Sequence, residues 1–73
     1  MMETVKITTE FIKLDQLLKF ANIAPTGGAA KEMIADGIIS VNGEICFLRG
    51  KKIRPGDEVT AGFEDETVTL KVE

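Results

Sequence analysis

The sequence has no histidine, no tryptophan and no tyrosine, and a single cysteine, Cys46. Without histidine or a second thiol, the usual Cys/His zinc sites and histidine-based nucleophilic triads are excluded. One cysteine cannot build a disulfide framework, and such a chain suits a reducing compartment. No apolar run approaches the roughly 20 residues that span a bilayer. The first residues lack the basic start and apolar stretch of a signal peptide. These absences lead to the expectation of a soluble cytoplasmic protein. Its 73 residues allow one domain, residues 1–73, with a small core.

Acid is in excess overall, with a net charge of −3, but the charge is unevenly spread. Residues 1–54 hold eight of the nine Lys and Arg, whereas residues 55–73 hold only Lys71 and half of the twelve acids. A ligand meets the local field rather than the total, so a basic face can coexist with an acidic C-terminal part that points away from it. The densest feature is Arg49, Lys51, Lys52 and Arg54, four cations in six residues with no acid among them. Like charges packed this closely repel unless water or a polyanion screens them. The plain alternative is a solvated loop between strands. If the stretch is extended, Lys52 and Arg54 share one side and Lys51 takes the other.

Hydrophobic periodicity orders the chain. Thr4 to Thr8 alternates, with Val5 and Ile7 on one face of a short strand. Leu14, Leu17, Leu18 and Ala21 follow at helical spacing, predicting a helix from about Ile12 or Lys13 to about Asn22, a residue that tolerates the left-handed conformation ending helices. Thr26 is placed to cap a second helix, with Ala30, Met33 and Ile34 on its buried face and Gly37 as its C-terminal glycine. Ile39 and Val41 begin a strand, and Asn42-Gly43 is a strong hairpin signal, with Ile45 and Phe47 continuing the alternation on the return. Pro55-Gly56 fits the centre of a type II turn. Val59, Ala61 and Phe63 alternate next, Glu64-Asp65-Glu66 makes a polar turn, and Val68, Leu70 and Val72 alternate to the end. The expected fold is α+β: two packed short helices against a small, mostly antiparallel sheet, with one strand before the helices and four after.

The candidate chemistry is binding. Thr26-Gly27-Gly28 at a helix start offers free backbone N–H groups and the positive end of the helix dipole to an anion, with Lys31 about one turn in. The bland reading of the same residues is a flexible connector and an ordinary capped helix. Asp15 has no partner for acid–base catalysis and reads as structural, satisfying backbone or a cation near the first helix's start. Cys46 reads as a small, at least half-buried hydrophobe. Phe11, Phe20, Phe47 and Phe63 sit mostly in apolar patterns, so phosphate and shape recognition is expected rather than base stacking.

Lys13-Leu14-Asp15 with Leu18, then Ala30-Lys31 and Ile34, then Gly37, Val41-Asn42-Gly43 and Pro55-Gly56-Asp57 resemble, in order and spacing, the ribosomal S-four-type RNA-binding domain, which carries the αL RNA-binding motif. The resemblance covers residues 12–59, about two-thirds of the chain. It implies a non-catalytic module without a cofactor that binds structured RNA: ribosomal RNA first, transfer RNA second, with a ribosomal particle as a possible setting and ribosome assembly or maturation as the process. Carried over residue by residue, the candidate contacts are Lys13, Thr26, Gly27, Gly28, Lys31, Arg49, Lys51, Lys52 and Arg54. Two positions depart from the family pattern. Lys13 stands where an arginine is usual, which keeps the charge but loses the planar fork. Thr26-Gly27 stands where a serine–arginine pair is usual, as in a glycine-rich variant of small stand-alone members. The lost arginine motivates an alternative, a protein-interaction module that kept the fold and lost most RNA affinity.

Overall fold

The computed structural model describes residues 2–73. Strand β1 (Met2–Val5) leads through a loop to the two-residue β2 (Ile12–Lys13) and helix α1 (Leu14–Phe20), then helix α2 (Gly27–Ala35). Strands β3 (Ile39–Val41), β4 (Glu44–Ile45), β5 (Lys52–Ile53), β6 (Glu58–Gly62) and β7 (Thr67–Val72) follow. The main sheet runs β1-β7-β6-β3-β4, antiparallel except for the parallel β1–β7 pair. A separate antiparallel ribbon joins β2 to β5. The architecture is the expected α+β one, two packed helices with a mostly antiparallel sheet. Five strands follow the helices where four were expected, because the basic tract supplies β5.

Period-two burial sets the sheet. Val59 and Ala61 on β6 face Leu70 and Val68 on β7, and Ile39 and Val41 pair with Ala61 and Val59. All six are buried, as are Leu14, Leu17, Leu18, Ala30 and Ile34 of the helices. These side chains make one core together with Ile53 of the ribbon. The other face of the sheet is polar: Ser40 pairs with Thr60, and the Thr60 and Thr69 hydroxyls lie 3.3 Å apart. Helix α1 has only seven residues, too few to persist alone. Its three leucines are fully buried, each contributing about 1.5–3 kcal/mol through removal from water.

Both helices end where the local residues direct. Asn22 (φ +61°) closes α1 in a Schellman motif, with Ile23 N–H donating to the Leu18 carbonyl (2.9 Å) and Asn22 N–H to that of Lys19 (3.1 Å). Gly37 (φ +76°) ends α2, its N–H donating to the Ile34 carbonyl (3.2 Å). The helix itself stops at Phe20, inside the expected limit.

Four expectations, three on strands and one on the start of α1, are corrected. The first strand lies at Met2–Val5 rather than Thr4–Thr8, because its partner β7 pairs from Thr69 to Val72. Ile7 continues the ladder only through its N–H to the Glu73 carbonyl (2.9 Å). Helix α1 begins at Leu14, because Ile12 and Lys13 are taken by the ribbon. The return strand of the Asn42-Gly43 hairpin is only Glu44–Ile45, and Ile45 and Phe47 lie outside the core, 59% and 65% exposed. The cause is register. Asn42 (φ +50°) and Gly43 (φ +87°) make a two-residue turn of type I′ that sets Ile45 opposite Ser40, on the polar face. Half-buried Cys46, bonded through its N–H to the Ile39 carbonyl, turns inward instead. Phe63 likewise falls just past β6 and is exposed.

Candidate nucleic-acid interface

The basic tract is hung on α1 by its backbone. Lys13, the N-cap residue, makes no side-chain capping bond. The Leu14 N–H donates instead to the Lys51 carbonyl (2.9 Å), and the Asp15 N–H to the Arg49 carbonyl (3.1 Å). Two of the four free donors of a helix start are thereby satisfied by the tract. A turn closed by the Lys51 N–H on the Leu48 carbonyl (3.1 Å) presents those carbonyls. With its main chain engaged inward, the tract leaves Arg49, Lys51, Lys52 and Arg54 exposed. Asp15 is structural, as expected: its carboxylate accepts the Gln16 N–H at 2.8 Å.

The ribbon then gathers cations from both ends of the motif. Ile12 pairs with the fully buried Ile53, so the opposite face carries Lys13 directly across from Lys52. Like charges in this position are destabilising in the absence of an anion. Lys52 Nζ lies 4.9 Å from the centroid of the Phe11 ring, and the Arg54 guanidinium 5.9 Å from it. Both fall within cation–π range. Lys52 and Arg54 therefore share a side, as the extended reading predicted, and Phe11 organises it. Sequence reasoning missed Phe11, whose apolar context gave no hint of this role.

Lys51 takes the other side, toward the hairpin. There a clamp joins the two halves of the motif. Asp57 accepts from the Asn42 side-chain amide (3.1 Å) and the Arg54 N–H (2.8 Å), and the Asn42 side-chain oxygen accepts the Glu58 N–H (2.9 Å). The Arg54-Pro55-Gly56-Asp57 turn has Gly56 at φ +100°, the positive value a type II turn requires. The Asp57 carboxyl is held below its ordinary range by the Arg54 N–H first and the Asn42 amide second, with smaller help from the charges of Lys51 and Arg54. The acidic C-terminal part is thus divided. Glu64-Asp65-Glu66 sits at the opposite end of β6, while Asp57 lies within the tract's own framework.

Thr26 caps α2 as expected, its hydroxyl accepting the Ala29 N–H at 3.0 Å. Gly27 and Gly28 are exposed, and neither requires glycine for conformation or space: a Cβ at Gly27 meets nothing within 4 Å, and one at Gly28 only the Thr26 hydroxyl at 3.8 Å. Lys31 is exposed on the same helix. This group is joined to the tract through α1, which packs on both α2 and the ribbon. The aromatic expectation fails in part, since Phe47 and Phe20 are 65% and 63% exposed.

Among the described residues, no helix is long and apolar enough to cross a membrane. The family model described as "S4 domain" matches residues 5–71. The probable ribosome maturation protein RlbA of Bacillus subtilis is 39% identical over 59 residues, which is 81% of this chain and 83% of that protein. The RQC P-site tRNA stabilizing factor of the same organism is 34% identical over 61 residues, 84% of this chain and 70% of the factor. The small ribosomal subunit protein uS4 of Sphingopyxis alaskensis is 31% identical over 61 residues, and the match spans only 30% of its length. Among solved structures, trimeric heat shock protein 15 of Vibrio cholerae superposes with a TM-score of 0.72 at 25% identity, over 82% of this chain and 60% of the other. The motif residues that build the ribbon, the hairpin and the Asn42–Asp57 clamp thus lie within a matched region covering nearly the whole chain, which belongs to the S4 domain family.

Proposed function

We propose that residues 1–73 act as one non-catalytic RNA-binding domain, with residues 12–59 as its motif core, that docks on a folded RNA of the translation machinery. Ribosomal RNA during ribosome assembly or maturation is the first choice and transfer RNA the second. The observation that carries this reading is the exposed Lys13–Lys52 pair, with Arg54 beside Lys52 over Phe11 and Arg49 and Lys51 on the adjoining turn. Cations set across from one another are at their most stable with an anion between them, and a phosphate backbone supplies anions at regular intervals. Thr26, Gly27, Gly28 and Lys31 form a second contact region, where free N–H groups at the start of α2 meet phosphate. The names of the relatives, a ribosomal protein, a ribosome maturation protein and a P-site tRNA stabilizing factor, support the same setting.

The test is binding to purified ribosomal subunits and to their RNA across a salt series. Wild-type affinity is expected to fall steeply with salt. The Lys51→Glu, Lys52→Glu double variant is expected to keep its circular dichroism spectrum, lose at least tenfold in affinity, and flatten the log–log salt slope by about 2 if each lysine meets one phosphate. Unchanged RNA affinity in the folded variant rejects the surface. No binding at low salt favours the protein-interaction alternative.

A further inference from the structure

The return arm of the Asn42-Gly43 hairpin carries the largest apolar exposure next to the basic tract. Ile45, Phe47 and Leu48 are 59%, 65% and 68% exposed, although all three are strongly apolar. They line an open groove of about 500 Å³ that also takes in Lys51, with Glu44 as its one acid. That volume lies within the range of small-ligand sites. The segment is anchored: the Leu48 carbonyl accepts the Lys51 N–H and faces the Cys46 thiol at 3.7 Å.

The Phe47 ring is seated rather than hanging free. Two of its ring carbons lie 3.4 and 3.5 Å from the point where a Cβ on Gly37 would stand. Gly37 is in the left-handed conformation that ends α2, so one glycine both terminates the helix and makes room for the ring. The ring rests an edge on Gly37 and leaves most of its surface open, within the same groove as a lysine. Arg49 follows Leu48 in the chain and Lys51 lines the groove, so the apolar residues adjoin the cations of the tract. An aromatic ring and a cation lining one groove match the two ends of a nucleotide, a flat base and a phosphate.

We propose that the groove between Phe47 and Lys51 seats one unpaired nucleotide of the bound RNA, its base stacked on Phe47 and its phosphate on Lys51. This rests on the RNA-binding reading above and adds to it a preference for RNA with a base outside the helix.

The experiment uses two fluorescent RNA stems of the same length, one fully paired and one with a single bulged 2-aminopurine. The full chain is compared with Phe47→Ala and Phe47→Leu. The wild type is expected to bind the bulged stem more tightly and to change its 2-aminopurine emission on binding. Phe47→Ala is expected to lose on the order of tenfold on the bulged stem and less than twofold on the paired one. Its salt slope should match the wild type, since no phosphate contact is removed. Phe47→Leu should be nearly as weak as alanine, because leucine restores apolar area but no stacking surface. Equal effects on both stems, no effect, or recovery in Phe47→Leu would each overturn the nucleotide seat. If binding to both stems is still lost in Lys51→Glu, Lys52→Glu, the RNA-binding reading survives that failure. Absence of wild-type binding to either stem at low salt overturns both.

Discussion

The β6–β7 hairpin and the β2–β5 ribbon are both antiparallel pairs, built in opposite ways. Along β6 and β7, buried Val59, Ala61, Leu70 and Val68 meet across the strands on one face, and Thr60 meets Thr69 on the other. These cross-strand pairs are of favourable kinds. The ribbon is two residues long and sets Lys13 against Lys52, a pairing that favourable contacts do not explain. It is kept in place by Ile53 in the core and by tract carbonyls on the start of α1. The buried core, Ile53 of the ribbon included, carries the stability, and the ribbon's exposed face carries the unbalanced positive charge. The division shows how a chain with net charge −3 can present a basic face without destabilising its core.

Three substitutions break or sharpen this contrast. The largest effect is expected from Leu18→Ala, which empties a fully buried position of α1 in the common core. A loss of about 2–5 kcal/mol is expected in urea denaturation. A cost below about 1 kcal/mol would mean that the buried leucines of α1 do not carry the stability.

A smaller effect concerns Asp57, which belongs to both regions. Its folded carboxyl lies below the ordinary value of 3.8, so the native state binds that proton less readily than the unfolded chain. The sign follows from linkage: its contribution is complete above the ordinary value and drains away as pH falls through the lowered one. Asp57→Asn should therefore be less stable than the wild type at pH 6 and show a shallower acid-induced loss below pH 4 in thermal melts. Parallel wild-type and variant profiles would remove the clamp from the stability of the hairpin.

The smallest change has opposite signs for stability and binding. Lys13→Glu replaces a like-charged cross-strand pair by an opposite one and leaves Lys52 on Phe11. It should stabilise the domain by about 0.2–1 kcal/mol at low salt, fading as salt is raised. It should also weaken RNA binding several-fold, read by anisotropy on the same ribosomal RNA. A destabilised Lys13→Glu would show that the two lysines do not oppose one another in solution.

The legible parts of this chain are those set by local backbone preference or simple period. Thr26, Asn22, Gly37, Asn42-Gly43 and Pro55-Gly56 each hold the cap or turn expected of them. The alternation of β6 and β7 was readable because one face is wholly buried. Ile45 and Phe47 misled because period two does not say which phase faces inward, and the two-residue turn chose the outward one. Lys52 and Ile53 escaped notice as a strand because a two-residue ribbon carries no periodicity.

For the candidate interface, the cations themselves were visible, since charge density is a property of composition along the chain. Their grouping was not. That Lys13 meets Lys52, that Phe11 lies under Lys52 and Arg54, and that Asn42 reaches Asp57 depend on residues far apart in sequence. By itself the sequence determined where the helices end, where the chain turns, and that one stretch is basic, because these follow from φ preferences and charges of neighbouring residues. Only the tertiary structure decided which cations meet across the ribbon and which phenylalanines stay in water. Those outcomes depend on strand register and on how the leucines of α1 pack, and no local interaction encodes either.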